Sequence, residues 1–87
     1  MVVILEPVSG DANSYLDRAK QEIERVLAFR GSVSQVKVKG KKIKVNFEVS
    51  PKWDLSMAEK VSYLQEWIPA KVKVVFKVLS VSEEEHA

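Results

Sequence analysis

Residues 35–49 read QVKVKGKKIKVNFEV, and no other stretch of the chain restricts the fold so tightly. Val36 and Val38 before Gly40, then Ile43, Val45, Phe47 and Val49 after it, alternate with Lys37, Lys39, Lys44, Asn46 and Glu48. A period of two sends successive side chains to opposite faces of a strand. Gly40 sits where the chain must reverse, so the stretch predicts an antiparallel hairpin with one apolar face. Two strands alone are marginal in water. The remaining residues must therefore supply more strands and a layer to cover that face.

They carry the patterns to do so. VVILE, residues 2–6, is apolar at successive positions and stops at Pro7, which predicts a strand in the centre of the sheet. From Asp11 the spacing turns helical, with Leu16, Ala19, Ile23, Val26 and Leu27 recurring at threes and fours. Asp11 or Ser14 is placed to cap its start and Gly31 to supply a left-handed residue at its end. After the hairpin and the loop PKWDLS, Ser56 and Glu59 form a capping-box pattern. Met57, Val61, Leu64 and Ile68 make the stripe of a second helix, which Pro69 is expected to end. KVKVVFKVL, residues 71–79, alternates again as a last strand. SVSEEEHA then reads as an acidic, flexible tail over 81–87, leaving one domain over 1–80.

A β-α-β-β-α-β order folds most economically as a two-layer α+β sandwich: an antiparallel sheet with both helices on one face. The covered face should hold Val36, Val38, Ile43, Val45, Phe47, Val72, Val74, Phe76 and Val78. The lysines then line the open face.

Chemistry is nearly silent. The 87 residues contain no cysteine, hence no thiolate and no disulfide, which fits a reducing interior and a cytoplasmic home. The sole histidine, His86, lies next to the end, and the run Glu83, Glu84, Glu85 reads as a solubilising tail rather than a ligand set. With three glycines there is no phosphate-cradling loop. Runs such as MVVIL are far shorter than the roughly 20 residues that span a bilayer. These readings point to a protein that is not an enzyme and holds no cofactor or metal.

What remains is surface. The net charge of +2 conceals segregation, because Lys37, Lys39, Lys41, Lys42, Lys44, Lys71, Lys73 and Lys77 all fall on strand-like segments. A sheet that reads single-stranded RNA presents aromatics on its open face, but Phe47 and Phe76 share the valine face. The lysines have two readings: a solvated face, or a phosphate contact that needs charge without stacking, centred on Lys41, Lys42 and Lys44. On the second helix Tyr63 and Trp67 stand four apart beside the apolar stripe, with Trp53 just ahead of the helix. Surface aromatics of this kind mark protein interfaces.

GKKIKVNFEV, a loop, and then VSYLQEWIPAKVKVVFKV resemble the small dimerising subunit of the KEOPS complex, which makes the threonylcarbamoyl modification of adenosine in tRNA. The resemblance is carried by Gly40, Lys41, Lys42 and Ile43, followed by Tyr63, Leu64, Trp67 and Ile68, within residues 35–79. DLSMAEKV departs from the small or basic residues the family has there, which leaves room for a divergent paralogue. The resemblance implies a non-catalytic subunit that pairs with itself or with a paralogous small subunit. It also implies docking on the transferase subunit through Tyr63, Trp67 and Ile68, and help in positioning tRNA. Two other readings stay open: a stand-alone nucleic-acid-binding domain with a basic sheet, and a small structural protein.

Overall fold

The computed structural model describes residues 1–83 except the side chain of Phe29. Its elements are β1 (Val2–Pro7), α1 (Leu16–Leu27), β2 (Gly31–Lys39), β3 (Lys42–Val49), α2 (Met57–Val72) and β4 (Phe76–Ser82). Short 3-10 turns at Ala12–Tyr15 and Ala28–Arg30 bracket α1. The architecture is α+β: a four-stranded antiparallel sheet in the order β2-β3-β1-β4, with two helices packed against it.

The alternation about Gly40 becomes the β2–β3 hairpin, with Val38 opposite Ile43, Val36 opposite Val45 and Val33 opposite Phe47. Gly40 and Lys41 form the two-residue turn. Gly40 has φ +63°, and a positive φ at the first central position alone is the pattern of a type II′ turn. β1 lies between β3 and β4, as its apolar run predicts. Val3 and Leu5 point to the helices and are fully buried, while Val2 and Ile4 face the other way among Asn46, Ser82, Lys44 and Ser80.

Under the helices the core joins Val3, Leu5, Ile43, Val45, Phe47 and Phe76 to Ala19, Ile23 and Leu27 of α1 and Leu64, Ile68 and Val72 of α2. Two β-bulges shape it. The β2–β3 register shifts at Ser34, and the β1–β4 register shifts at Leu79. Each adds one residue, so Val33 with Val36, and Val78 with Val81, sit three apart yet pack on the same core.

Several expectations change. α2 does not stop at Pro69 but runs through it to Val72. The proline forgoes one backbone hydrogen bond, while Leu64, Ile68 and Val72 continue the same four-residue row into the core. Lys71 and Val72 are therefore helical, and the strand expected over 71–79 is displaced to 76–82, leaving Val74 in the connecting turn, 83% exposed. Val81, placed by the sequence in the tail, pairs with Val3 and is buried, so the ordered domain passes residue 80. Glu84, Glu85 and His86 lie outside the described residues.

The buried stripe of α2 is also rotated from the expected one. Lys60, Leu64, Ile68 and Val72 face inward, and Met57 is exposed. Lys60 lays its stem along the core and its ammonium donates to the Ser50 carbonyl at 3.3 Å. Gly31 is not the left-handed residue that ends α1. Ala28 takes that place with φ 52° and donates its amide to the Glu24 carbonyl, whereas Gly31 is extended. Gly31 is needed for another reason: a Cβ there would lie 2.2 Å from the Glu48 carbonyl oxygen.

Candidate partner-binding site

The aromatic residues that the sequence scatters over positions 53, 63 and 67 converge. Ser56 accepts a hydrogen bond from the Glu59 amide at 3.2 Å, and the Glu59 carboxylate accepts one from the Ser56 amide at 3.3 Å. This capping box fixes where α2 begins, and hence the direction in which Tyr63 and Trp67 project. The loop ahead of α2 turns on Ser50. Its amide donates to the Arg30 carbonyl, and its own carbonyl accepts from the Trp53 amide at 3.1 Å. One residue thus ties Arg30, at the end of the first helical segment, to Trp53, in the loop ahead of the second.

The indoles of Trp53 and Trp67 stack with centroids 6.1 Å apart and planes 16° from parallel. Tyr63 leans on Trp67 at 5.1 Å. The Arg30 guanidinium lies 5.2 Å from the Trp67 ring and 5.9 Å from that of Trp53. Contacts of this kind contribute roughly 0.5–1.5 kcal/mol each beyond burial, enough to hold the four side chains in one arrangement. Trp53 and Trp67 are half-buried and Tyr63 is 43% exposed, with exposed Met57 also on α2.

Beside this cluster α1 contributes a charged brace. Glu22, buried, accepts from Arg18 at 2.9 Å and from Arg25. Burial pushes the Glu22 carboxyl upward, but the hydrogen bonds and charges of Arg25 and Arg18 outweigh it and hold the pKa below the ordinary carboxylate value. Arg25 also reaches the Lys71 carbonyl at 3.5 Å, the outer limit of a hydrogen bond, near the end of α2. Between the helices a hollow of about 450 Å³ is lined by Arg25, Val26, Arg30, Trp67 and Lys71. A neighbouring hollow of about 350 Å³ is lined by Arg30, Ser50, Lys52 and Trp53.

Of the residues expected to meet a partner, Tyr63 and Trp67 are brought together here, and Ile68 is not. Ile68 is fully buried in the core row of α2, so no partner reaches it. The lysine group also divides. Lys41 and Lys42 are exposed at and beside the hairpin turn. Lys44 is 8% exposed on the open face of the sheet, directly opposite Lys37. Desolvation first, then the charges of Lys39 and Lys37, push its pKa below the ordinary lysine value. Lys44 is thus crowded by the neighbouring lysines of that face.

The sequence reading did not associate Arg25, Arg30, Lys52 and Lys71 with the aromatics. Only the Trp67–Lys71 spacing of four was available as a signal, and it carries weight only once α2 continues through Pro69. Among the described residues no three His, Cys, Asp or Glu side chains gather to hold a metal ion, and no helix is long and apolar enough to cross a membrane. Compared with known proteins, the chain matches no family model, no curated relative and no solved structure.

Proposed function

We propose that this chain is a non-catalytic accessory subunit of the cytoplasmic KEOPS complex, supporting threonylcarbamoyl modification of tRNA. It docks the transferase subunit through the aromatic face of α2 and pairs with itself or with a paralogous small subunit. The observation that carries the docking is the braced cluster of Trp53, Tyr63, Trp67 and Arg30. Tyr, Trp and Arg are the residues that dominate binding energy at protein interfaces, and rings already fixed in place lose little freedom on binding. The identity of the partner rests on the resemblance of Gly40–Ile43 and Tyr63–Ile68 to the family.

Co-expression with the transferase subunit of the same organism tests it. Tyr63→Ala removes the most exposed ring while leaving the Trp53–Trp67 stack. The variant should remain folded and fail to co-purify. A Tyr63→Ala protein recovered with the transferase at wild-type yield refutes docking at this face.

A second reading, a domain that binds nucleic-acid phosphates through its sheet, is favoured by one observation. Lys37 faces Lys44 and Lys39 faces Lys42 across the hairpin. Like charges directly opposite repel, and a bound phosphate chain would relieve them. This reading predicts binding to tRNA without any protein partner, weakening steeply as salt rises.

A further inference from the structure

The cations around the aromatic cluster specify what kind of partner surface it accepts. The ionisable residues lining the two hollows are Arg25, Arg30 and Lys71 in one and Arg30 and Lys52 in the other. All are cationic, in a chain whose 14 basic and 12 acidic residues nearly balance. Glu22, the α1 acid that faces Arg25, is buried and already accepts from Arg18 and Arg25. Arg30 lines both hollows and lies over both indoles, which places its guanidinium where the two hollows meet.

We infer that this groove, running from Lys71 and Arg25 across Arg30 to Lys52, receives an acidic segment of a partner protein. Carboxylates of that segment pair with the arginines and lysines, and an apolar side chain lies against Val26 and the indoles. The inference rests on the docking reading above and adds the chemistry of the docked segment. A planar guanidinium resting against the indoles offers paired donors that match a carboxylate. A phosphate chain with stacked bases fits less well, because a stacking platform needs open ring faces. Trp67 already has Trp53 nearly parallel to it, Tyr63 at 5.1 Å and Arg30 at 5.2 Å. The sheet aromatics Phe47 and Phe76 are buried.

The test uses the full chain and three labelled probes: a short peptide of Asp-Glu-Leu repeats, its Asn-Gln-Leu counterpart, and an oligouridine of matched charge. Fluorescence anisotropy should show the acidic peptide binding at least about tenfold more tightly than the neutral one, weakening by about tenfold as salt is raised toward 1 M. Lys52→Glu combined with Lys71→Glu, which leaves the Arg30–indole contacts in place, should abolish that preference. Lys37→Glu combined with Lys39→Glu, on the open sheet face, should leave it intact. Equal affinity for the two peptides overturns the inference. So does loss of acidic-peptide binding in the sheet variant alone, or tighter binding of oligouridine that disappears with Lys52→Glu and Lys71→Glu. If the acidic preference is absent but Tyr63→Ala still fails to co-purify with the transferase, the docking face stands and only its acidic specificity falls. If neither result appears, both fall.

Discussion

Gly31→Ala is expected to be among the most damaging single-methyl changes in this chain, and its cost follows from one distance. The new Cβ would lie 2.2 Å from the Glu48 carbonyl oxygen and 3.2 Å from the Val49 Cα, against the roughly 3.5 Å of ordinary contact. The neighbours are backbone atoms, so no side chain can rotate away. β2 must instead move off β3 by about 1 Å at its first residue. That strains the Gly31–Val49 pairing and the hydrogen bond that the Ser50 amide donates to the Arg30 carbonyl. Two weakened hydrogen bonds at about 1 kcal/mol each, with about 1–2 kcal/mol of overpacking strain, give a loss of about 3–4 kcal/mol. A chain of this length has roughly 4–13 kcal/mol in total, so urea denaturation should show a midpoint lowered by about 2–3 M. Gly40→Ala is the control. At φ +63° with nothing within 4 Å of the added methyl, it should cost only about 1 kcal/mol of left-handed strain. A Gly31→Ala protein no less stable than Gly40→Ala would refute the close-approach argument.

Two more outcomes follow from the frame of the site. Ala28, with φ 52° and ψ −118°, occupies backbone space suited to glycine. Ala28→Gly should therefore stabilise by about 1 kcal/mol despite the entropy cost of glycine, read as a higher urea midpoint. Glu22 has a folded pKa below its ordinary 4.5, so its stabilisation is fully present above about 4.5 and is lost as pH falls through the depressed value. Both arginines are more than half exposed, which limits the gain to about 1 kcal/mol. Glu22→Gln should be less stable than wild type by that amount at neutral pH, and the two denaturation curves should converge below pH 4.5. A gap that persists undiminished at low pH would contradict the ion-pair account.

The parts of the fold that follow a simple period were legible in the sequence. The alternation around Gly40, the helical spacing of Ala19, Ile23 and Leu27, and the Ser56–Glu59 box led to the α+β order, and the apolar run over residues 2–6 to β1 in the centre of the sheet. What was misread lies where a local rule meets packing. Pro69 reads as a stop, yet burial of Val72 in line with Leu64 and Ile68 carries α2 through it. Val81 reads as tail because it is out of step with Val78, and the bulge at Leu79 restores the step. Lys60 is absent from the expected stripe because charge conceals its long apolar stem.

The site divides the same way. Tyr63 and Trp67 were visible from their spacing of four on one helix. Arg30 was not, because its approach to the indoles depends on Ser50, 20 positions later in the chain, holding its carbonyl. Ile68 resembles its neighbours in composition and differs only in direction, which depends on how α2 is rotated about its axis.

The central claim is that the cluster on α2, and not the lysine hairpin, meets the partner. Trp53 and Trp67 are the only tryptophans, so ¹⁵N-labelled protein gives two indole N–H signals, both at the proposed interface. On titration with the unlabelled transferase subunit, both indole signals should shift or broaden together with the Tyr63 amide, while the amides of Lys37–Lys44 hold their positions. Unmoved indoles with shifts confined to the hairpin would contradict the account.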